Sequence, residues 1–284
     1  MSATAATTEA LIKDQCRHLH LPSIGARCMT LEQEAVRSHQ GHSSYLSALL
    51  EQELEDRAQR RAQRRISEAH FPHLKTLGDF RFEANASVSA STVAQLAEGG
   101  YIDRAENVLM VGDTGTGKTM LATALGMAAC QQGRSVRFTT VAALANELLE
   151  ARDQFALSRA VARWARVDVM IADDLGYLTL PPAGAELLFQ VFAQRAESGS
   201  MIVTTNLPFS EWNTVFSDPR LCKAVVERLT YRAHIVQTGV ESFRFTNSLA
   251  RSRSARTSTT TPATTIRNAS PAPKASVSPE QAPL

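Results

Sequence analysis

Residues 112–119 read GDTGTGKT, directly after the apolar run NVLMV and directly before the helix-forming stretch MLATALGMAACQQ. No other stretch restricts the fold as much. A G-x-x-x-x-G-K-[ST] pattern between a strand and a helix predicts a loop whose N–H groups curl around phosphate oxygens. Gly112, Gly115 and Gly117 allow the tight path, and the following helix presents its positive end to the same anion. On this reading Gly112, Asp113, Thr114, Gly115, Thr116, Gly117, Lys118 and Thr119 cradle a nucleoside triphosphate. Lys118 reaches the β and γ phosphates, and the Thr119 hydroxyl ligates Mg2+.

Past this loop, short apolar runs alternate with helical stretches: SVRFTTV, ALANELLEARDQ, VDVMIAD, AGAELLFQVFAQRAE, MIVTTN and AHIVQT. Strands alternating with helices predict an α/β domain, a parallel sheet with helices on both faces, which also accounts for strands that are almost continuously apolar. The third run ends in ADDLG, which puts Asp173 at a strand end where a P-loop protein holds the metal, usually through its water. Asp174 is expected to act on the attacking water. P-loop proteins with an extra strand between the two motifs, here SVRFTTV, usually carry glutamate at this position. Aspartate is one methylene shorter, so its oxygens sit roughly 1 to 1.5 Å nearer the backbone, and an error of that size costs about 100-fold. Slow hydrolysis, or a displaced backbone, follows from that. The competing account of Asp174 is a cap on the following turn. Asn206 ends the next strand, where an amide beside the acid pair can sense the γ phosphate and the water. It also fits a plain turn before Leu207-Pro208.

The remaining sequence divides around this core. Residues 1–75 are rich in Leu, Ala, Glu, Gln and Arg and predict a small all-helical region, to which the basic patch at 57–65 assigns DNA binding; residues 76–247 hold the ATPase domain; residues 248–284 are Ser, Thr, Pro and Ala with almost no large apolar side chain. Such a tail cannot bury enough surface to order itself, and its Arg251, Arg253, Arg256, Arg267 and Lys274 against Glu280 offer at most weak contact with nucleic acid. No run approaches the roughly 20 apolar residues that span a bilayer, MSATAATTEA lacks the order of a secretory signal, and the four cysteines are scattered. These features predict a cytoplasmic protein with reduced cysteines and no membrane partner. The pairs His18 with His20 and His70 with His73 lack ligand partners at recognised spacing, so no structural zinc is expected.

With a formal net charge of only +2, any affinity for nucleic acid must come from a local patch. RAQRRAQRR at 57–65 supplies one. At about 100° per residue, Arg57, Arg60, Arg61, Arg64 and Arg65 span an arc of roughly 140° on a helix, beside an apolar stripe of Ala58, Ala62, Ile66 and Ala69. The bland account pairs Glu53 with Arg57, Asp56 with Arg60 and Arg64 with Glu68 at i, i+4, with Arg65 sharing Glu68. Arg61 is left over, which favours sequence-independent contact with the DNA backbone.

GDTGTGKTMLATALG, VRFTTVAALANELLEAR, MIADDLGYLTLPPAGAELLFQVFAQR and IVTTNLPFSEWNTVF together resemble the IstB-like ATP-binding proteins, and ELEDRAQRRAQRRISEAHFPHLKTLGDFRF resembles their N-terminal part. The likeness runs from about Leu11 to Thr246. It implies an AAA+ ATPase that binds ATP and Mg2+, is similar to the helicase loader DnaC, and serves as a transposition helper of an insertion sequence. Assembly as an ATP-dependent homo-oligomer on double-stranded DNA, and recruitment of a transposase encoded by the same element, are part of the same implication. So is an arginine donated to the neighbouring subunit's site, for which Arg228 in VVERLTYRAHIV fits, with Arg220 and Arg232 as alternatives. Little chain remains for the helical lid that many AAA+ proteins carry. A replicative helicase loader is the nearest rival reading. A small-molecule phosphotransferase is a more distant one, opposed by the acid pair, Asn206 and Arg228.

Overall fold

The computed structural model describes residues 3–196 and 198–240; the tail expected at 248–284 lies outside them. Three helices open the chain: α1 (Ala3–His18), α2 (Pro22–Arg37) and the long α3 (His42–Glu68). Two single-turn helices (Leu77–Asp79, Phe82–Ala84) and the short α4 (Ala90–Ala97) and α5 (Gly100–Asp103) lead to β1 (Asn107–Val111). There follow α6 (Lys118–Gln131), β2 (Val136–Thr140), α7 (Val141–Asp153), α8 (Leu157–Ala165), β3 (Val169–Leu175), α9 (Pro182–Arg195), β4 (Ser200–Thr205), α10 (Pro219–Thr230) and β5 (Ala233–Gln237). All four strand pairings are parallel, in the order β2-β3-β4-β1-β5, so the predicted α/β architecture is the observed one.

Side chains alternate across the strands into two cores. Val108, Met110, Ile171, Ile202 and Val236 pack beneath α6 and α4 on one face; Leu109, Met170, Ala172 and Val203 pack against α7, α9 and α10 on the other. Helices on both faces explain why the strands are apolar throughout. At the strand beginnings, Arg195 is fully buried and its guanidinium donates to the carbonyls of Trp164, Val167, Asp168 and Ser200 at 2.5 to 3.3 Å. That one side chain ties α9 to the starts of β3 and β4, and burial holds its pKa down at about 10.

The helical region is not a separate body. The end of α3 lies on α6 and β2: the Phe138 N–H donates to the Ala69 carbonyl (2.8 Å), which covers the open edge of β2. Gly126 permits the close approach, since a Cβ there would stand 2.7 Å from Ile171 Cδ1 and 2.8 Å from Phe71 Cε1. The described residues therefore form one compact unit across the boundary expected at residue 75.

Glu53, only 3% exposed, organises the other half of α3. Its carboxylate accepts from the N–H groups of Ser23 (2.9 Å) and Ile24 (3.2 Å), which open α2, and from Arg57 Nε (2.8 Å). Burial pushes its pKa up, but the hydrogen bonds from Arg57 and the two amides outweigh it and hold the group below the ordinary glutamate value. A carboxyl with a lowered folded pKa stabilises the fold above the unfolded value and loses that contribution as pH falls. Glu53→Ala should lower stability by about 2 to 3 kcal/mol at neutral pH, since it strands buried donors. In urea titrations the gap from the wild type should narrow as pH falls below about 4.3, the ordinary glutamate value.

Candidate nucleotide site

All five strands are parallel, so their C-terminal ends share one edge of the sheet, and the loop 112–117 rises from that edge at β1. The Gly112 N–H donates to the Thr205 carbonyl of β4 (3.2 Å) and the Asp113 N–H to the Gly239 carbonyl past β5 (3.0 Å). Thr116 Oγ1 donates to the Asp113 carbonyl (2.8 Å) and lies 2.7 Å from Thr238 Oγ1. The loop is thus braced by both neighbouring strands. Lys118 Nζ folds over it, donating to the carbonyls of Gly112 (2.6 Å) and Asp113 (2.8 Å). The first-turn N–H groups of α6 have no acceptor within their own helix, as at any helix start, and they face the loop.

Asp173, 3% exposed, ends up beside this loop although its strand is not the loop's neighbour in the sheet. The Thr119 hydroxyl donates into its carboxylate, at 3.1 Å from Oδ1 and 3.0 Å from Oδ2. The two residues expected to share a metal are therefore in direct contact. Burial raises the Asp173 pKa, and the adjacent Asp174 charge raises it further, against the hydroxyls of Thr204 and Thr119 and the Lys118 charge. A desolvated carboxylate in contact with the Thr119 hydroxyl suits a magnesium ion that keeps several waters and takes its other ligands from phosphate. Among the described residues no cluster of three His, Cys, Asp or Glu side chains forms a cage of another kind.

Asp174 departs from regular strand geometry. Its φ is +60°, and the pairing of β3 with β4 shifts register between Ala172 and Leu175. The backbone has moved at the residue that is one methylene short. Its side chain is exposed, while its N–H donates to Thr204 Oγ1 (2.9 Å). Asn206 follows β4, between the loop strand and the acid strand, with its Oδ1 close against Gly176: a Cβ on that glycine would be 3.0 Å away.

Sequence reasoning missed the segment that laps over the loop. Phe80 sits against Gly117, where a Cβ would be 2.7 Å from its Cε2, and it meets Phe82 edge to face at 4.8 Å. Asn85 Nδ2 donates to the carbonyls of Thr116 and Thr238, both at 3.0 Å. The aromatic FRFEAN cluster is the visible signal, but nothing in it says which loop it covers. Thr204 was missed as well: it lies two residues before Asn206 in the same TTN stretch.

Of the three arginine candidates, Arg228 and Arg232 lie at the far edge of the sheet, where α10 ends and β5 begins. Arg228 is exposed near the end of α10, and its backbone carbonyl meets Asn107 Nδ2 at the opposite end of β1 from the phosphate loop. Arg220 is exposed in the first turn of α10, and Arg232 is exposed in the turn before β5. The five arginines of α3 do not share one free face. Arg57 and Arg60 turn inward to the start of α2, where Arg57 also donates to the His20 carbonyl and Arg60 Nη2 to Ser23 Oγ (2.9 Å). The expected Asp56–Arg60 pair is replaced: Arg60 Nε donates to the Asp56 main-chain carbonyl, and Gln52 takes the carboxylate. Arg64 and Arg65 both reach Glu68, at 3.8 and 3.5 Å, and Arg65 Nε is buried without a partner. Arg61 lies exposed beside Gly133.

A family model described as IstB-like ATP binding protein matches residues 14–251. The chain is 37% identical over 237 residues to a putative insertion sequence ATP-binding protein of Sinorhizobium fredii, covering 83% of this chain and 80% of the relative. It is 35% identical over 233 residues to the putative ATP-binding protein of insertion sequence IS5376 from Geobacillus stearothermophilus, covering 82% and 93%. Among solved structures, AMPPCP-bound DnaA from Aquifex aeolicus superposes with a TM-score of 0.52 at 18% identity, over 65% of this chain and 56% of that one. That likeness is one of fold, and it spans little more than half of the DnaA chain.

The loop's conformation can be tested at Gly117, whose φ of +94° is closed to other residues. Gly117→Ala should weaken ATP binding at least tenfold in a fluorescent-nucleotide titration while leaving the far-UV circular dichroism unchanged. Adding Phe80→Ala should not restore binding, because it clears the clash but leaves the backbone strained.

Proposed function

The chain belongs to the IstB-like ATP-binding protein family, an AAA+ fold, and from that membership we propose that it is an ATP-dependent, DNA-binding transposition helper. In its ATP-bound form it assembles on double-stranded DNA and recruits or stimulates a transposase of the same element; slow hydrolysis of ATP to ADP and phosphate resets the assembly. The observation that carries the ATPase half is the contact of Thr119 with Asp173 beneath a bulged Asp174, all at the edge where the phosphate loop opens. The names of the relatives, which tie them to insertion sequences, support the other half.

In this mechanism Lys118 leaves the Gly112 and Asp113 carbonyls for the β and γ phosphates, an exchange of neutral acceptors for charged ones. Thr119 and Asp173 are the residues that would hold Mg2+, which when bound neutralises phosphate charge. Asp174 takes the proton of the attacking water, and Asn206 holds that water or the γ phosphate by its amide. Arg228, remote from its own phosphate loop, is offered to the site of the neighbouring subunit. Leu46, Leu50 and Leu54 lie exposed at i, i+4, i+8 along α3, an apolar row of the kind another chain covers, which supports an oligomer. For DNA, the arginines with the fewest internal contacts, Arg61 and Arg64, lead; Arg65 assists, while Arg57 and Arg60 mainly hold the helices together.

Lys118→Ala should abolish ATP binding in an equilibrium titration. Asp174→Asn should bind ATP within about threefold of the wild type yet lose at least tenfold in phosphate release, in line with what a positioned proton acceptor contributes; unchanged turnover would sink the assigned role. For DNA, Arg61→Ala with Arg64→Ala should reduce the slope of log affinity against log salt by about 2, near 0.9 per lost phosphate contact. An unchanged slope removes these arginines from the interface.

A further inference from the structure

We propose that Thr204 is a positioning residue for turnover, its single hydroxyl fixing at once the Asp173 carboxylate and the bulged backbone from which Asp174 projects. This rests on the reading of Asp174 as the acid that acts on water. Thr204 is fully buried on β4, paired with Met110 of β1 on one side and lying opposite the acid pair of β3 on the other. Its Oγ1 donates to Asp173 Oδ1 at 2.6 Å and accepts from the Asp174 N–H at 2.9 Å.

The direction of both bonds is forced. An ionised carboxylate only accepts and an amide N–H only donates, so the hydroxyl proton must point at Asp173 and a lone pair must point at Asp174. Fixing the proton in this way leaves the other carboxylate lone pairs to Thr119 and to a metal-bound water. Fixing the lone pair gives the displaced Asp174 N–H an acceptor where the register shift has taken it out of the ladder between β3 and β4. A non-glycine residue at φ +60° persists only where its surroundings over-determine it, and this bond is one of the determinants. Loss of the hydroxyl would leave Asp173 held by Thr119 alone and the Asp174 N–H without this acceptor, while the phosphate loop keeps its own braces at Thr205, Thr238 and Gly239.

Two readouts follow, nucleotide affinity with and without Mg2+ and the rate of phosphate release, on the full-length protein carrying Thr204→Val or Thr204→Ser. Thr204→Val should bind a fluorescent ATP analogue in EDTA within twofold of the wild type. It should need at least fivefold more Mg2+ for half of the metal-dependent gain in affinity, and its phosphate release should drop at least tenfold. Thr204→Ser, which keeps the hydroxyl, should stay within threefold on every measure. If Thr204→Val does not fold, Thr204→Ala against Thr204→Ser isolates the hydroxyl with the methyl absent from both. Wild-type Mg2+ dependence and turnover in Thr204→Val, or a Thr204→Ser that fails as Val does, would overturn the proposal. Asp174→Asn, measured alongside, separates the two readings. Normal turnover in that variant removes Asp174 as the acid while the Mg2+ titration still decides what Thr204 does to Asp173; lost turnover there with a wild-type Thr204→Val removes only the inference about Thr204.

Discussion

The nucleotide site depends on one strand being between two others. In the order β2-β3-β4-β1-β5, β4 separates the strand that delivers the phosphate loop from the strand that delivers the acids. Parallel strands bring all three C-terminal ends to one edge, and the ladders set their relative heights, with one residue extra in β3 at the bulge. The last two positions of β4 and the residue after them divide these neighbours between them. The Thr205 carbonyl receives the Gly112 N–H, Thr204 holds the acid pair, and Asn206 lies against the turn at Gly176. A small displacement of β4 would reach the loop and both acids together, so the site behaves as one piece.

That arrangement also decides what the sequence could reveal. GDTGTGKT, its strand and its helix are contiguous, so their geometry is written locally, and Asp173 is found by the rule that a buried strand ends where polar residues begin. Phe80, Asn85 and Thr238 meet the loop from 31 to 122 residues away in the chain, and no local pattern points them there. The register shift at Asp174 is a property of two paired strands, invisible in either one alone. Thr204 looks like any β-branched residue filling a central strand until its two partners are known.

The basic helix shows the same limit from another direction. A helical wheel assigns one environment to each face along the whole length of α3, but the helix changes partners midway. Its first half lies on α2, where Glu53 is buried and draws in Arg57 and Arg60; its last turns lie on α6 and β2, where Arg65 is half-buried. The pairings at Glu53–Arg57 and Arg64–Glu68, read from i, i+4 spacing, are present, because that spacing is internal to the helix. What the wheel cannot supply is the carbonyl of His20 or the hydroxyl of Ser23, which the turn after α1 brings alongside.

The shorter acid and the bulge are best understood together. A left-handed backbone at a non-glycine residue costs about 1 to 2 kcal/mol, and aspartate is among the few residues that visit it readily. The strain is held by the Thr204 hydroxyl before it and by Leu175, which resumes pairing with Thr205 immediately after it. Bulges re-aim a side chain by changing where it starts and which way it leaves the strand. A glutamate on regular strand gains reach through its extra methylene; an aspartate on a bulge changes the origin of the side chain instead. The second route asks more of the surroundings, because a rotatable side chain adjusts itself, whereas a strained backbone must be held, and the group that holds it here also holds Asp173.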